Sequence, residues 1–177
     1  MPHPGNDSGE RARASEAARR AITGLARDRG AQFTTRPAFP GSDITVRDLE
    51  PLAGARSARD IELGSRHAAR EYIRAAREAG HGWDDIGQAL GLTPGGDADQ
   101  EGLTVAEAAY TYGAGRPDTE APWRPRSFTW RCPSCEQAIS DRGLIAGPAD
   151  DEVGHADDCQ RLNAAVDEWD ASWEAEP

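Results

Sequence analysis

Apolar residues recur at helical spacing along most of this chain and alternate only in short pieces. From Ser8 to Arg29, Ala17, Ala18, Ile22, Leu25 and Ala26 give a narrow helical stripe, and Gly30 supplies the stop. Residues 31–54 form a connector interrupted by Pro37, Pro40, Gly41, Pro51 and Gly54, with a possible short strand at Asp43–Arg47; Phe33 and Phe39 are expected to plug a core edge. The strongest helical pattern runs from Arg56 to Ala79. Ile61, Ala68, Tyr72, Ala75, Ala76 and Ala79 face one way, and Arg56, Arg59, Arg66, Arg70, Arg74 and Arg77 the other. At about 100° per residue the six arginines share a stripe of about 80°.

Trp83, Ile86 and Leu90 predict a short helix closed by Gly91. After a flexible acidic loop at residues 93–102, Thr104-Val-Ala-Glu107 is a capping box that opens a helix over Val105–Tyr112, in which Tyr110 and Tyr112 are packing residues. Gly113–Pro125 reads as a linker, and 1–8 as an unstructured arm. Phe128 and Trp130 alternate with polar residues in a strand over Ser127–Arg131, and Gln137–Ser140 returns as its hairpin partner. A last helix is expected from about His155 to Trp173, with Asp157 and Asp158 in its first turn and Trp169 and Trp173 packed on the hairpin. These elements give a mainly α fold with three parts: 1–54 as arm, helix and connector, 55–115 as a helical region, and 116–177 as a small ββα module.

The hairpin and the last helix carry the chemistry. Cys132-Pro-Ser-Cys135 has two residues between its cysteines, so a tight turn can aim both sulfurs at one ion. After nineteen intervening residues come His155 and, at i+4, Cys159, on one face of the expected helix with Leu162, Val166, Trp169 and Trp173. Three thiolates and an imidazole are the donors of a closed, tetrahedral structural zinc site. A redox Cys-x-x-Cys would leave His155 and Cys159 unused and lacks its βαβ setting. The expected cofactor is one Zn2+, held by Cys132, Cys135, His155 and Cys159. The module resembles a Cys-Cys-His-Cys zinc finger with a long loop.

A second resemblance covers residues 75–92. Ala75-Ala-Arg-Glu-Ala-Gly80-His-Gly-Trp83-Asp-Asp-Ile86-Gly87-Gln-Ala-Leu90-Gly91-Leu92 is similar to the front of the helix-turn-helix of actinobacterial DNA-binding regulators. The resemblance implies DNA binding and transcription regulation, and a recognition helix soon after Gly91. Instead the acidic loop follows, and the next helix has no arginine. Between Arg77 and Arg116 the only basic residue is His81, among seven acids.

Charge sharpens this conflict. The net charge of −11 is uneven: residues 1–80 carry 14 arginines and 11 acids, residues 81–177 carry 6 arginines and 20 acids, and there is no lysine. The basic surface is the arginine stripe. Arg59, Arg66, Arg70, Arg74 and Arg77 are therefore the candidate DNA contacts, since guanidinium groups bind phosphate oxygens bidentately. A solvated helix face, partly paired with acids, is the competing reading. The zinc module, with Arg142 and Arg161 against a large excess of acids, is unsuited to phosphate.

No Gly-rich phosphate loop and no nucleophile–base pair is suggested, so an enzyme is not expected. His67 reads as a solvent-exposed helix residue, His81 as a turn residue. No apolar run approaches the ~20 residues of a membrane span, and no signal pattern opens the chain, which points to the cytoplasm. The first functional expectation is a zinc-containing, helix-turn-helix-like DNA-binding accessory or transcriptional regulator. The alternative is a non-catalytic adaptor that docks a basic protein partner through its acidic zinc module. Self-association, with one chain's arginines on another's acids, is a further possibility.

Overall fold

A computed structural model describes residues 7–93, 103–115 and 126–174. The arm at 1–6, loop residues 94–102 and linker residues 116–125 lie outside this set. The elements in order are α1 (Asp7–Asp28), β1 (Phe33–Pro37), β2 (Thr45–Leu49), α2 (Pro51–Glu78), α3 (Trp83–Ala89), α4 (Val105–Ala114), β3 (Phe128–Arg131), β4 (Ala138–Asp141), α5 (Pro148–Asp151), β5 (Glu152–Val153) and α6 (Gln160–Glu174). Among the described residues the fold is mainly α, with two antiparallel sheets ordered β1-β2 and β3-β4-β5. The chain divides into two compact units, residues 1–67 and 68–177.

In the first unit β1 pairs with β2 along its length, from Phe33↔Leu49 to Pro37↔Thr45. The connector thus holds a hairpin where the sequence suggested one short strand. Half-buried Phe33 lies under the guanidinium groups of Arg27 and Arg47, at 5.7 and 5.1 Å, whereas Phe39 is exposed. Arg36 pairs with Asp48 across the hairpin, and Arg29 pairs with Asp60. The start of α2 is capped by Glu50, whose carboxylate accepts the N–H of Leu52 at 2.9 Å and of Ala53 at 2.7 Å. Those two bonds hold the Glu50 carboxyl below its ordinary range. Pro51 at the first helical position loses no bond, because that N–H has no partner inside a helix.

The second unit has a continuous core built from Ile73 of α2, Trp83 and Ile86 of α3, Ala106, Ala109 and Tyr110 of α4, and Phe128, Trp130, Cys132, Ile139 and Cys159. Buried residues from both sides of the expected linker thus belong to one cluster. The capping box forms as expected: Thr104 N–H donates to Glu107 at 2.7 Å, and the Glu107 N–H donates to Thr104 Oγ1 at 3.2 Å. α4 is buried along much of its length, at Ala106, Ala108, Ala109, Tyr110 and Gly113. It meets α3 at Gly87, where a Cβ would lie 2.8 Å from the Val105 carbonyl oxygen. Trp83 meets Tyr110 and Phe128 edge-on, with centroids 5.3 and 5.5 Å away. Tyr110 donates its hydroxyl to the Arg126 carbonyl at 2.8 Å; burial first, then the Asp141 charge, pushes it up to about 12.

Tyr72, assigned to the inward face of α2, is 78% exposed, and the inward residues of the last turns are Ile73 and Arg77. The buried face is rotated toward the arginines because Ile73, not the small alanines, carries the apolar area.

Candidate metal centre

β3 is an edge strand of its sheet, and the last turns of α2 cover that edge. Arg74 Nε donates to the Thr129 carbonyl at 3.0 Å, and Glu78 Oε1 accepts the Arg131 N–H at 3.1 Å. Main-chain groups that an open edge would leave unpaired are thereby satisfied. The strand delivers the chain to the Cys132–Cys135 turn, closed by Glu136 N–H to Cys132 O and Cys132 N–H to Gln137 O, both at 2.9 Å. Glu136 takes a left-handed conformation (φ 57°), and Arg131 Nη1 donates to its carbonyl at 2.6 Å.

The other two ligand candidates come from a turn rather than a helix. α6 begins at Gln160, so His155, Asp157, Asp158 and Cys159 all precede it. Cys159 ends the turn: its N–H donates to Ala156 O, and its carbonyl accepts the first helical bond from Asn163, each at 3.0 Å. Gly154 (φ 111°) sends the chain into this turn, past the Ala138 carbonyl, which a Cβ would meet at 2.8 Å.

The sulfurs of Cys132, Cys135 and Cys159 and one nitrogen of His155 all lie within 4.8 Å of one another. Cys132 and Cys159 sulfurs are 3.7 Å apart; His155 Nδ1 is 3.5 Å from Cys135 Sγ and 3.2 Å from Cys159 Sγ. A four-coordinate ion with bonds of about 2.3 Å to sulfur and 2.0 Å to nitrogen sets its donors roughly 3.5–3.8 Å apart. The four donors are thus close enough that they could hold one metal ion, and the Cys132 and Cys159 sulfurs are too far apart for a disulfide of about 2.05 Å. Burial pushes the Cys132 thiol up, while the N–H of Ala156, the largest influence, helps to lower Cys135 to about 6.

Behind the four donors stands a polar layer that sequence reasoning missed. His155 Nε2 lies 3.2 Å from Glu152 Oε2, leaving Nδ1 to face the sulfurs. Glu152 also accepts from Arg161 Nη1 at 2.5 Å and from Arg77. Burial alone would raise Glu152, but the Arg161 hydrogen bond and both guanidinium charges hold it below its ordinary value. Arg77 reaches Asp141 at 3.3 Å and donates to the His81 carbonyl at 2.8 Å. Asp141 is fully buried and accepts Trp83 Nε1 at 2.9 Å and the Gly143 N–H at 3.1 Å. Its carboxyl is raised, by burial above all, since it shares Arg77 while Glu152 has two arginines. Trp130 lies between Arg77 and Arg161, at 4.9 and 4.4 Å from its ring centre, and meets His155 edge-on. One signal of Asp141 was in the sequence: on β4 it shares a face with Ile139, two residues away.

No protein-family model, no curated protein and no solved structure matches this chain.

The structure scatters the candidate DNA contacts. Arg77, expected on an open stripe, is 2% exposed and bound to carboxylates. Arg74 is tied to Thr129 and lies 5.7 Å from the Phe128 ring centre. The Arg70 guanidinium lies against Gly115, where any side chain would meet Nη2. In the first unit, Arg59 and Arg66 are exposed, and each lies 2.9 Å from Glu62. Among the described residues, no helix is long and apolar enough to cross a membrane.

Proposed function

We propose that this chain is a non-catalytic protein-interaction adaptor whose acidic C-terminal unit docks a basic partner and is held in shape by one structural zinc ion. The observation that carries the reading is the burial of Arg77 against Asp141 and Glu152, with Arg74 Nε tied to the Thr129 carbonyl, which breaks up the arginine stripe. The Arg77 guanidinium already donates to buried carboxylates, and turning it toward a phosphate would strand those acids. α4, where a base-reading helix would be expected, is basic-free and half-buried in the core. The helix-turn-helix-like run of α2, α3 and α4 is in this reading a scaffold.

Zinc follows from the donor set. Three thiolates and one imidazole complete its tetrahedron, so the ion supplies a crosslink between the β3–β4 turn and the start of α6 and leaves no open position for chemistry. With those elements the unit is a ββα-type zinc module carrying an extra short strand. The cytoplasm, where thiols stay reduced, is the compartment this site suits. A DNA-binding role rests on Arg59 and Arg66, whose side chains are 60% and 62% exposed.

Co-purification from the native cell, with and without nuclease, tests the proposal. The expected result is a basic protein partner retained after nuclease treatment. Salt-sensitive binding to duplex DNA, lost when Arg59 and Arg66 are changed to Gln, would overturn it.

A further inference from the structure

The loop from Arg142 to Gly147 presents apolar side chains to solvent while its backbone is fixed from below. Leu144 is 45% exposed and Ile145 82%. Beneath them the buried Asp151 carboxylate accepts the N–H groups of Ile145 at 2.9 Å, Ala146 at 3.1 Å and Gly147 at 3.0 Å. The Arg142 N–H donates to the Asp151 carbonyl at 2.7 Å. A buried carboxylate is thus spent on holding a loop whose tip leaves Ile145 largely in solvent. Such preorganisation lowers the ordering cost of binding.

The same loop meets the unpartnered end of α6. Leu162, Val166, Trp169 and Trp173 share a stripe of about 60° at about 100° per residue. Leu162 packs against the core and Val166 is half-buried, but the stripe continues beyond the core. Trp169 lies on Gly147, where a Cβ would sit 3.1 Å from the indole, and Trp173 meets Trp169 edge-on at 5.8 Å while 63% exposed. Beside this surface Asp150 and Asp170 are exposed, and after Arg161, which Glu152 holds, no basic residue follows.

We propose that Leu144, Ile145, Trp169 and Trp173 form a preformed docking surface for an amphipathic, positively charged helix of a partner protein. The inference rests on the adaptor reading and names its surface. Apolar residues of the incoming helix cover the isoleucine and the indoles, and its flanking Arg or Lys meet the acids and the indole faces.

The test uses the full zinc-loaded chain with a designed Leu/Arg amphipathic peptide and its Leu/Glu counterpart as probes. The wild type is expected to bind the Leu/Arg peptide and not the Leu/Glu one. Ile145→Ser with Trp173→Ala, both on exposed positions, is expected to weaken binding about tenfold or more while metal content and melting stay unchanged. If the wild type binds but this double variant binds equally well, the surface is misassigned and the adaptor reading stands. If the wild type ignores the Leu/Arg peptide at low ionic strength, the adaptor reading itself fails. A concentration-dependent dimer that Trp173→Ala dissolves would assign the surface to a second copy and overturn the partner assignment.

Discussion

Glu152 stands behind His155: its Oε2 lies 3.2 Å from Nε2, the nitrogen turned away from the three sulfurs. A carboxylate in that place fixes the tautomer and makes the metal-facing nitrogen a better donor. Glu152→Gln keeps the shape and removes the charge, and is expected to weaken metal affinity by about 10–100-fold. Chelator competition on the purified protein measures it. An affinity equal to wild type would show that Glu152 serves only Arg77 and Arg161.

Cys159→Ser tests the cage itself. One metal ion per chain is expected in the wild type purified without chelator, and less than one in the variant, counted by native mass spectrometry. With the ion gone, the turn before α6 loses its crosslink, so amide exchange should quicken at Asn163 and Val166 before it does in α4. Wild-type protein that carries no metal would rule the site out.

Arg77 joins α2 to the polar layer, and its removal leaves Asp141 and Glu152 with one arginine between them. Arg77→Met is expected to cost about 3–5 kcal/mol in urea unfolding, the usual penalty for stranding a buried charge. Adding Asp141→Asn should recover part of the loss, since the acid left without a partner is then neutral. A cost below about 1 kcal/mol would mean that the pair is solvated, and would return Arg77 to the pool of surface arginines.

Gly87 is where α3 and α4 come closest. A Cβ there would fall inside the contact distance of Val105 Cγ1 and 2.8 Å from its carbonyl oxygen. Gly87→Ala is expected to destabilise by about 1–3 kcal/mol, because backbone must move. Val105→Ala should relieve only part of this, as the carbonyl clash remains. Full rescue in the double variant, read in the same unfolding assay, would place the strain in the valine side chain alone.

That Cys132, Cys135, His155 and Cys159 would come together was legible because metal donors are few in kind and their spacing is short. The route to them was not: the i, i+4 spacing of His155 and Cys159 reads as a helix face, yet Gly154 and the acid pair Asp157–Asp158 make a turn that brings the same two residues together. The helices over 7–28, 83–89 and 105–114 followed from periodicity and caps, and the arginine stripe from periodicity too. Periodicity gives the width of a stripe and not which side is wet. Ile73 turns α2 so that Arg77 faces inward, and Asp141, Asp151 and Glu152, acids that look solvent-facing, supply its partners and the loop support. Trp169 and Trp173, expected on the hairpin, lie beyond the end of the core.

The thiols would give the candidate metal site its pH dependence. Each cysteine binds metal as thiolate, so a thiol still protonated at the working pH must release its proton. Cys132 sits above its ordinary value through burial, so at neutral pH it is protonated and gives up its proton only when metal binds, while Cys135, at about 6, is then already largely ionised. Affinity therefore falls as pH drops, and falls more steeply below about pH 6, where Cys135 also takes up a proton. For the metal-free fold the sign is the same: a thiol lowered on folding stabilises at pH above its unfolded value, and that contribution is lost as pH falls through about 6. Chelator competition from pH 5 to 8 should show the break in slope near 6. A constant slope through that range would mean that Cys135 is not set apart from Cys132 by the Ala156 N–H.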